Sequence, residues 1–414
     1  MKEHRQPEQH NSSSKPMIPF EEARRIVDEI LAGRCVETEI VPVLEGHGRV
    51  LAEKPVSRLD LPPFDKSAMD GYAVMNCDER DVYRVLEHIP AGNIPTRELE
   101  PGTAAKVMTG APVPKGTGQV IMIEDTDEGD ELVRVFKHGG KSNICRRGED
   151  IRTGQSLPGY GMRLNALALA NLVACGITEV CVRRVIRLAI LTTGDEIVDH
   201  VEKITPGKIM DSNGPMLEAL AREHHLETVV RKTVSDDSDQ LTQAIREAGS
   251  QADIILLSGG VSVGDFDFVP VALKSAGFQI HFDRVAVKPG KPLTFATTKN
   301  CVALGLPGNP VSVFVGFHLF VLRTVGHLCG APIVDRSFQV TLRKEIKRKD
   351  AARMSFTPGI IGSDGLAETI PYHGSAHLLA LTEASGFLQI PKDVEYIPKG
   401  GTALFFPLMM EPGY

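Results

Sequence analysis

Residues 252–265 read ADIILLSGGVSVGD, an apolar run from Ile254 to Leu257 that passes at once into a glycine pair. A short apolar run bounded by turn residues is the pattern of a strand buried on both faces. Two other stretches repeat it. Val185–Leu191 leads into Thr192-Thr193-Gly194-Asp195-Glu196, and Cys301–Leu306 leads into Pro307-Gly308-Asn309-Pro310-Val311-Ser312. Helical spacing is found at Met216–His224, Leu241–Ala248 and Phe268–Ala276, and an apolar helix starts at Val311. Strands alternating with helices predict a doubly wound α/β domain, a parallel sheet with helices on both faces, over about residues 185–330.

Upstream the texture differs. Ala23, Ile26, Val27, Ile30 and Leu31 share one face of a helix over Phe20–Ala32, which Gly33 stops. Short runs such as Tyr83–Leu86 and Gln119–Glu124, broken by Pro and Gly, predict a small β-rich domain. Asn165–Cys175 is helical again, with Asn165 as its cap and Gly176 as its end. From Phe338 onward, strand-like runs and turns predict a C-terminal β domain. The expected division is a polar tail over 1–16, an elongated linker region from 17–55 and 151–184, a β-rich domain over 56–150, the α/β domain over 185–330 and the β domain over 336–410.

Composition excludes several functions. The 414 residues carry a net charge of -7, no strongly basic block and no Trp, which argues against a nucleic-acid partner. The seven cysteines form no CxxC pair, so reduced thiols are expected rather than a zinc site. Residues 1–16 lack the apolar stretch of a signal peptide. Val311–Val325 is interrupted by His318 and Arg323 and falls short of the ~20 apolar residues that span a bilayer, which predicts a buried helix, no membrane partner and a cytoplasmic protein.

The three strand-end loops draw attention because ligands of open α/β sheets bind beyond the carboxyl ends of the strands. Gly194, Ser258, Gly259, Gly260, Ser262, Gly264, Pro307, Gly308, Asn309 and Pro310 lie there. Glycines let backbone N–H groups approach a phosphate; tight turns are the plain alternative for any single loop. Asp265 and Phe266 stand where a Walker A motif needs Lys and Ser/Thr, and no GxGxxG follows a strand. Glu196, Asp265 and Asp267 would repel an anion unless a cation such as Mg²⁺ bridged them. Lys288-Pro289-Gly290-Lys291-Pro292 is a stiff cationic loop suited to a tetrahedral oxyanion, and Arg284 precedes it. The turn-rich segments 62–73, 108–114 and 146–150 carry acids, hydroxyls and two arginines, but their composition alone assigns no chemistry.

Eight segments, in this order, resemble the MoeA family of molybdenum insertases: MDGYA at 69–73, MTGAPVP at 108–114, RRGED at 146–150, TGDE at 193–196, DSN at 211–213, SGGVSVGD at 258–265, KPGKP at 288–292 and LPGNPVS at 306–312. Each alone is weak; together they are specific, and the resemblance runs from about Phe20 to Phe406. It implies a MogA/MoaB-like α/β domain joined to an elongated N-terminal region, a small β-rich domain and a C-terminal β domain. It implies that adenylylated molybdopterin and molybdate react with Mg²⁺ to give the molybdenum cofactor and AMP. It implies a homodimer, with the active site between the α/β domain of one subunit and the second domain of the other. A MogA-like adenylyltransferase and apo-molybdoenzymes are implied partners.

By motif, Asp70, Thr109 and Asp150 match positions important for activity, while Glu196, Asp236 and Asp267 match positions handling metal and substrate, Glu196 and Asp267 as metal ligands. Lys288, Lys291 and Arg284 match the anion site, Pro307 and Pro310 the LPGNP prolines, and Arg353 and Ser375 weaker C-terminal motifs. Cys145 stands where the family often has a first arginine, a contact that Lys141 or Arg146 would replace. Two alternatives remain: the adenylyltransferase that acts one step earlier, which resembles only the α/β domain, and a gephyrin-like non-catalytic scaffold.

Overall fold

A computed structural model describes residues 17–260, 268–331, 337–371, 374 and 378–408. The chain divides into two compact units, residues 39–182 and the remainder.

The larger unit is built on a six-stranded sheet. Its strands are β1 (Arg187–Thr193), β2 (Glu227–Val234), β3 (Ile254–Ser258), β4 (Gln279–Arg284), β5 (Pro292–Thr297) and β6 (Val302–Leu306), in the order β2-β1-β3-β6-β5-β4. The first four in that order are parallel, and β5 runs antiparallel to both its neighbours. The expectation of a wholly parallel sheet is therefore corrected at one edge. The reason is connection length: parallel neighbours need a crossover of a dozen or more residues, and the links on either side of β5 are too short for one. β1 and β3 are buried almost throughout, whereas β2 is an edge strand with exposed Arg231 and Lys232 and lacks the apolar run that marks the others.

Helices Asn213–Glu223, Ser238–Gly249 and Phe268–Ser275 connect the strands. Leu241, Ile245 and Leu273 pack with Leu191 and Leu257 of the sheet. Pro310–Leu328 is one helical rod with a π turn at Phe317–Val321. The expectation that this stretch falls short of a membrane span is corrected, since the helix is long and apolar enough to cross one; 89% of its apolar window is buried inside the fold, which fits the expected buried helix. The predicted helix near the N-terminus, Phe20–Leu31, buries Ala23, Val27 and Leu31, while Ile26 and Ile30 are only half-buried. It is tied to the rod through Asp28, which accepts from Arg323 Nε at 2.7 Å and pairs with His327 at 2.7 Å.

In the same unit, strands Phe338–Leu342, Met354–Ile361, Leu366–Thr369, Gly386–Ile390 and Thr402–Pro407 pair into a closed ring. Closure leaves no unpaired edge within the ring. Val287–Lys288 pairs onto this ring in parallel, with Lys288 opposite Ser355.

The unit 39–182 holds a five-stranded sheet in the order Thr117–Met122, Gly71–Met75, Thr103–Val107, Val82–Ile89, Leu132–Arg134. Apolar clusters around Ile89 and Val107 on one side, and around Tyr72 and Tyr83 on the other, bury both faces. Gly71 is structural: a Cβ there would sit 2.0 Å from the Ile121 carbonyl oxygen. A further core of Val43, Leu51, Leu164, Leu172 and Val182 surrounds helix Ala166–Ala174. Asn165 caps that helix by accepting from the Ala168 amide at 2.9 Å, as its sequence predicts.

Candidate active site

β1, β3 and β6 end side by side, with Thr192 beside Ser258 and Ser258 beside Leu306. Gly194, Gly259, Gly260 and Gly308 thus leave the sheet at one edge, as the strand-end pattern predicts. Gly259 and Gly260 have φ of +99° and +62°, and side chains there would strike Thr193. The loops are stitched together by Asn213, whose Nδ2 donates to Ser258 Oγ at 2.9 Å and to the Gly308 carbonyl at 2.7 Å. Ser258 Oγ in turn donates to the Pro307 carbonyl at 3.3 Å. Pro310 opens the following helix, where its missing N–H costs nothing, and Asn309 is the cap position. Ser262, Gly264, Asp265, Asp267 and Ser375 lie outside the described residues.

Carboxylates gather at the same edge. Asp236 donates its amide to Asp195 Oδ1 at 3.2 Å, and the Asp195 amide points back to Asp236 Oδ2 at 3.4 Å. Burial pushes the Asp236 carboxyl up, against the Asp195 amide bond, and the charges of Asp195 and Glu196 raise it further. Glu196 folds back over Gly194. Crowded carboxylates of this kind fit a divalent cation chemically. Among the described residues, however, no group of three His, Cys, Asp or Glu side chains forms a complete ligand set.

The lysine loop belongs to this edge as well, because β4 ends at Arg284 and β5 begins at Pro292, directly paired. Lys288 Nζ lies 3.7 Å from Asp350 Oδ2, and Arg353 lies 3.5 Å from the same oxygen. Arg353 also donates to the Val287 carbonyl at 3.3 Å. Two cations facing one carboxylate leave a positive surplus. The Ala352 amide, then Arg353 and Lys288, hold the Asp350 carboxyl below its usual range. Arg353, a weak match by motif, is therefore brought beside Lys288. The Arg284 and Lys291 carbonyls accept from the Ile18 and Val285 amides.

In the unit 39–182, Asp70 and Thr109 meet: Asp70 Oδ1 accepts from the Thr109 amide and hydroxyl. The RRGED loop docks on residues 60–65, which precede MDGYA. Arg146 pairs with Asp65 at 2.8 Å and Arg147 with Asp60 at 2.6 Å. Asp60 is lowered to about 2, first by the Thr153 amide and then by Arg147. Asp150 is exposed, its amide bound to the Leu61 carbonyl. Cys145 is half-buried, and burial, with Glu149 close by, pushes its thiol up. Arg146 is already engaged by Asp65, whereas Lys141 lines a cavity of about 390 Å³ with Lys137 and His138.

Sequence reasoning gave no role to Thr193, Asp195, Asn213 or Asp350. The DSN motif was the available signal for Asn213; nothing in the sequence pattern pointed to Asp350.

Family comparisons agree with this architecture. Residues 18–176 match the MoeA N-terminal region (domain I and II), residues 189–327 a probable molybdopterin binding domain, and residues 339–408 the MoeA C-terminal region (domain IV). The molybdopterin molybdenumtransferase of Staphylococcus aureus is 34% identical over 90% of this chain and 91% of its own. That of Staphylococcus epidermidis is 32% identical over 84% and 85%. The crystal structure of the molybdopterin biosynthesis MoeA protein from Pyrococcus horikoshii OT3 superposes with a TM-score of 0.82 at 29% identity, covering 95% of this chain and all of that one. The chain belongs to the MoeA family, and its function lies in molybdenum cofactor biosynthesis.

Proposed function

We propose that the protein transfers molybdenum from molybdate to adenylylated molybdopterin, exchanging molybdate oxygen for dithiolene sulfur and hydrolysing the phosphoanhydride to release AMP. The observation that carries this reading is the pairing of Lys288 and Arg353 around Asp350 at the carboxyl edge of the sheet. That surplus of cations suits a tetrahedral dianion, and the neighbouring Gly-loop amides suit phosphate oxygens.

Residue roles follow. Lys288 and Arg353, with Lys291 and Arg284 nearby, hold molybdate. Loop amides at Gly194, Gly260 and Gly308 orient the substrate, and most of the acceleration comes from positioning. Glu196 and Asp236, with Asp195 and Asp267, would hold Mg²⁺, which supplies neutralisation of charge on the phosphates. In the unit 39–182, Asp70, favoured in its ionised form by Thr109, and Asp150 are the carboxylates that the motifs single out.

We also propose that the protein is a cytoplasmic homodimer. Helix Ala166–Ala174 is apolar except at Asn171, yet leaves Leu167 75% and Val173 54% exposed, and Leu44, on the short helix packed against it, is 77% exposed. An exposed apolar face of this kind marks an interface, and a second copy is the symmetric occupant.

The deciding experiment incubates the purified protein with adenylylated molybdopterin, molybdate and Mg²⁺, then measures pterin-bound molybdenum and AMP. Formation of adenylylated pterin from molybdopterin and ATP, without molybdenum uptake, would assign the preceding adenylyltransferase step instead. No turnover of either kind would favour a scaffold.

A further inference from the structure

A cavity of about 560 Å³ lies at the amino end of the six-stranded sheet, the end opposite the glycine loops. Arg187 at the start of β1, Asp253 just before β3 and Cys301 just before β6 open onto it. Residues Gly33 to Glu37, after the first helix, and the turn at Lys299 and Asn300 complete the wall. The volume falls within the roughly 300–1,000 Å³ of small-molecule pockets.

The charges around this cavity do not balance. Four cations, Arg34, Arg184, Arg187 and Lys299, share it with two carboxylates, Glu37 and Asp253. Both carboxylates are engaged by Arg184, at 2.6 and 2.7 Å. Arg187 reaches Asp253 only at 3.8 Å. Arg34 donates to the Thr298 carbonyl at 2.9 Å and meets no carboxylate among the described residues. Lys299 is exposed and has neither a hydrogen bond nor an ion pair among the described residues.

Helix capping does not absorb the surplus. Helices Phe20–Leu31 and Ser238–Gly249 end at the cavity, and helix carboxyl ends attract cations. Backbone amides already meet carbonyls there: that of Arg34 on Leu31, that of Ser250 on Arg246, and those of Gln251 and Ala252 on Ala248.

We infer that the cavity is a second ligand site, one that takes a small molecule bearing a diphosphate or triphosphate group. Guanidinium forks suit phosphate oxygens. Arg34, Arg187 and Lys299 come from three separate segments around a space larger than one tetrahedral ion fills. A chain of phosphates therefore meets more of them than a single oxyanion does. This site shares no residue with the molybdate edge and needs none of its chemistry.

Calorimetric titration with inorganic pyrophosphate and with inorganic phosphate, without Mg²⁺, tests it. Lys288→Ala protein is titrated beside the wild type, so that binding at the carboxyl edge is weakened. Both proteins should bind pyrophosphate, about tenfold tighter than phosphate. In the Lys288→Ala background, Arg34→Gln should weaken pyrophosphate about tenfold and Lys299→Gln about threefold; Lys299→Arg should bind as Lys299 does. Lys399→Gln removes an exposed cation elsewhere and should change nothing. Arg34→Gln also gives up the Thr298 carbonyl, whereas Lys299→Gln has no partner to lose and should melt with its parent.

Absence of pyrophosphate binding in the Lys288→Ala protein would overturn the inference, as would equal affinities for pyrophosphate and phosphate. Unchanged binding by Arg34→Gln and Lys299→Gln would place the anion elsewhere. An equal loss in Lys399→Gln would reduce the effect to net charge. Either result overturns the site, and neither bears on molybdenum transfer.

Discussion

A single oxygen of Asp70, Oδ1, accepts both the amide of Thr109 at 2.6 Å and its hydroxyl at 2.7 Å. The backbone bond first, then the hydroxyl, holds the Asp70 carboxyl below its ordinary range. The MTGAPVP turn thus acts on MDGYA by keeping its aspartate ionised.

Thr109→Val removes one of those bonds and leaves the other. Asp70 should then protonate at higher pH. Since its folded pKa is depressed, the ionised form is lost as pH falls through that value, so the acid limb of cofactor formation should move upward in pH. Profiles of rate against pH for wild type and variant check this; coincident acid limbs would remove Asp70 from the reaction.

Lys288→Ala and Arg353→Ala should each weaken molybdate binding by about tenfold or more, the scale of one charge-assisted bond. Both cations face Asp350 Oδ2, so the double variant should lose less than the sum of the singles. Calorimetric titration with molybdate reads both effects. Full additivity would show that the two side chains act apart.

Asp253 serves the fold. Its carboxylate accepts from Arg184 at 2.7 and 2.8 Å and from the Arg187 amide at 2.8 Å. It lies just before β3, at the end of the sheet opposite the loops. Asp253→Ala leaves Arg184 with Glu37 as its remaining carboxylate, at 2.6 Å, and takes the acceptor from the Arg187 amide; it should cost about 2 kcal/mol, seen as a lower urea midpoint. Affinity for molybdate in the folded protein should not change.

His318 sits in the π turn among Phe314, Phe317 and Phe387, its Nδ1 donating to the Phe314 carbonyl at 2.9 Å. Burial pushes its pKa down to about 4. The unfolded chain takes up this proton near pH 6.5, the folded one near 4, so stability falls as pH drops between those values. The loss approaches about 3 kcal/mol. His318→Phe should flatten that part of the stability curve, measured by urea unfolding at pH 7 and pH 5; an unchanged slope would place the titration elsewhere.

Much of this protein was legible residue by residue. Ile254–Leu257 is apolar at every position because β3 is covered on both faces, so sequence alone located it and its glycine loop. Asn165, Gly33 and the Phe20–Leu31 face obey local rules of capping and periodicity. The ordered motifs fixed the family, since eight short segments in one order rarely recur by chance. β2, β4 and β5 escaped because edge and antiparallel strands with mixed polarity carry no such periodic signal.

Tertiary structure alone decided what meets what. Asp350 and Arg353 are far from Lys288 in the chain; the pairing of Val287–Lys288 with the C-terminal ring brings them together. Asn213 joins the loops because the helix that it starts lies at the sheet's carboxyl edge. Local sequence sets which conformations each segment can adopt; burial and hydrogen-bond satisfaction across distant segments select among them, as where Asn213 Nδ2 joins Ser258 to Gly308.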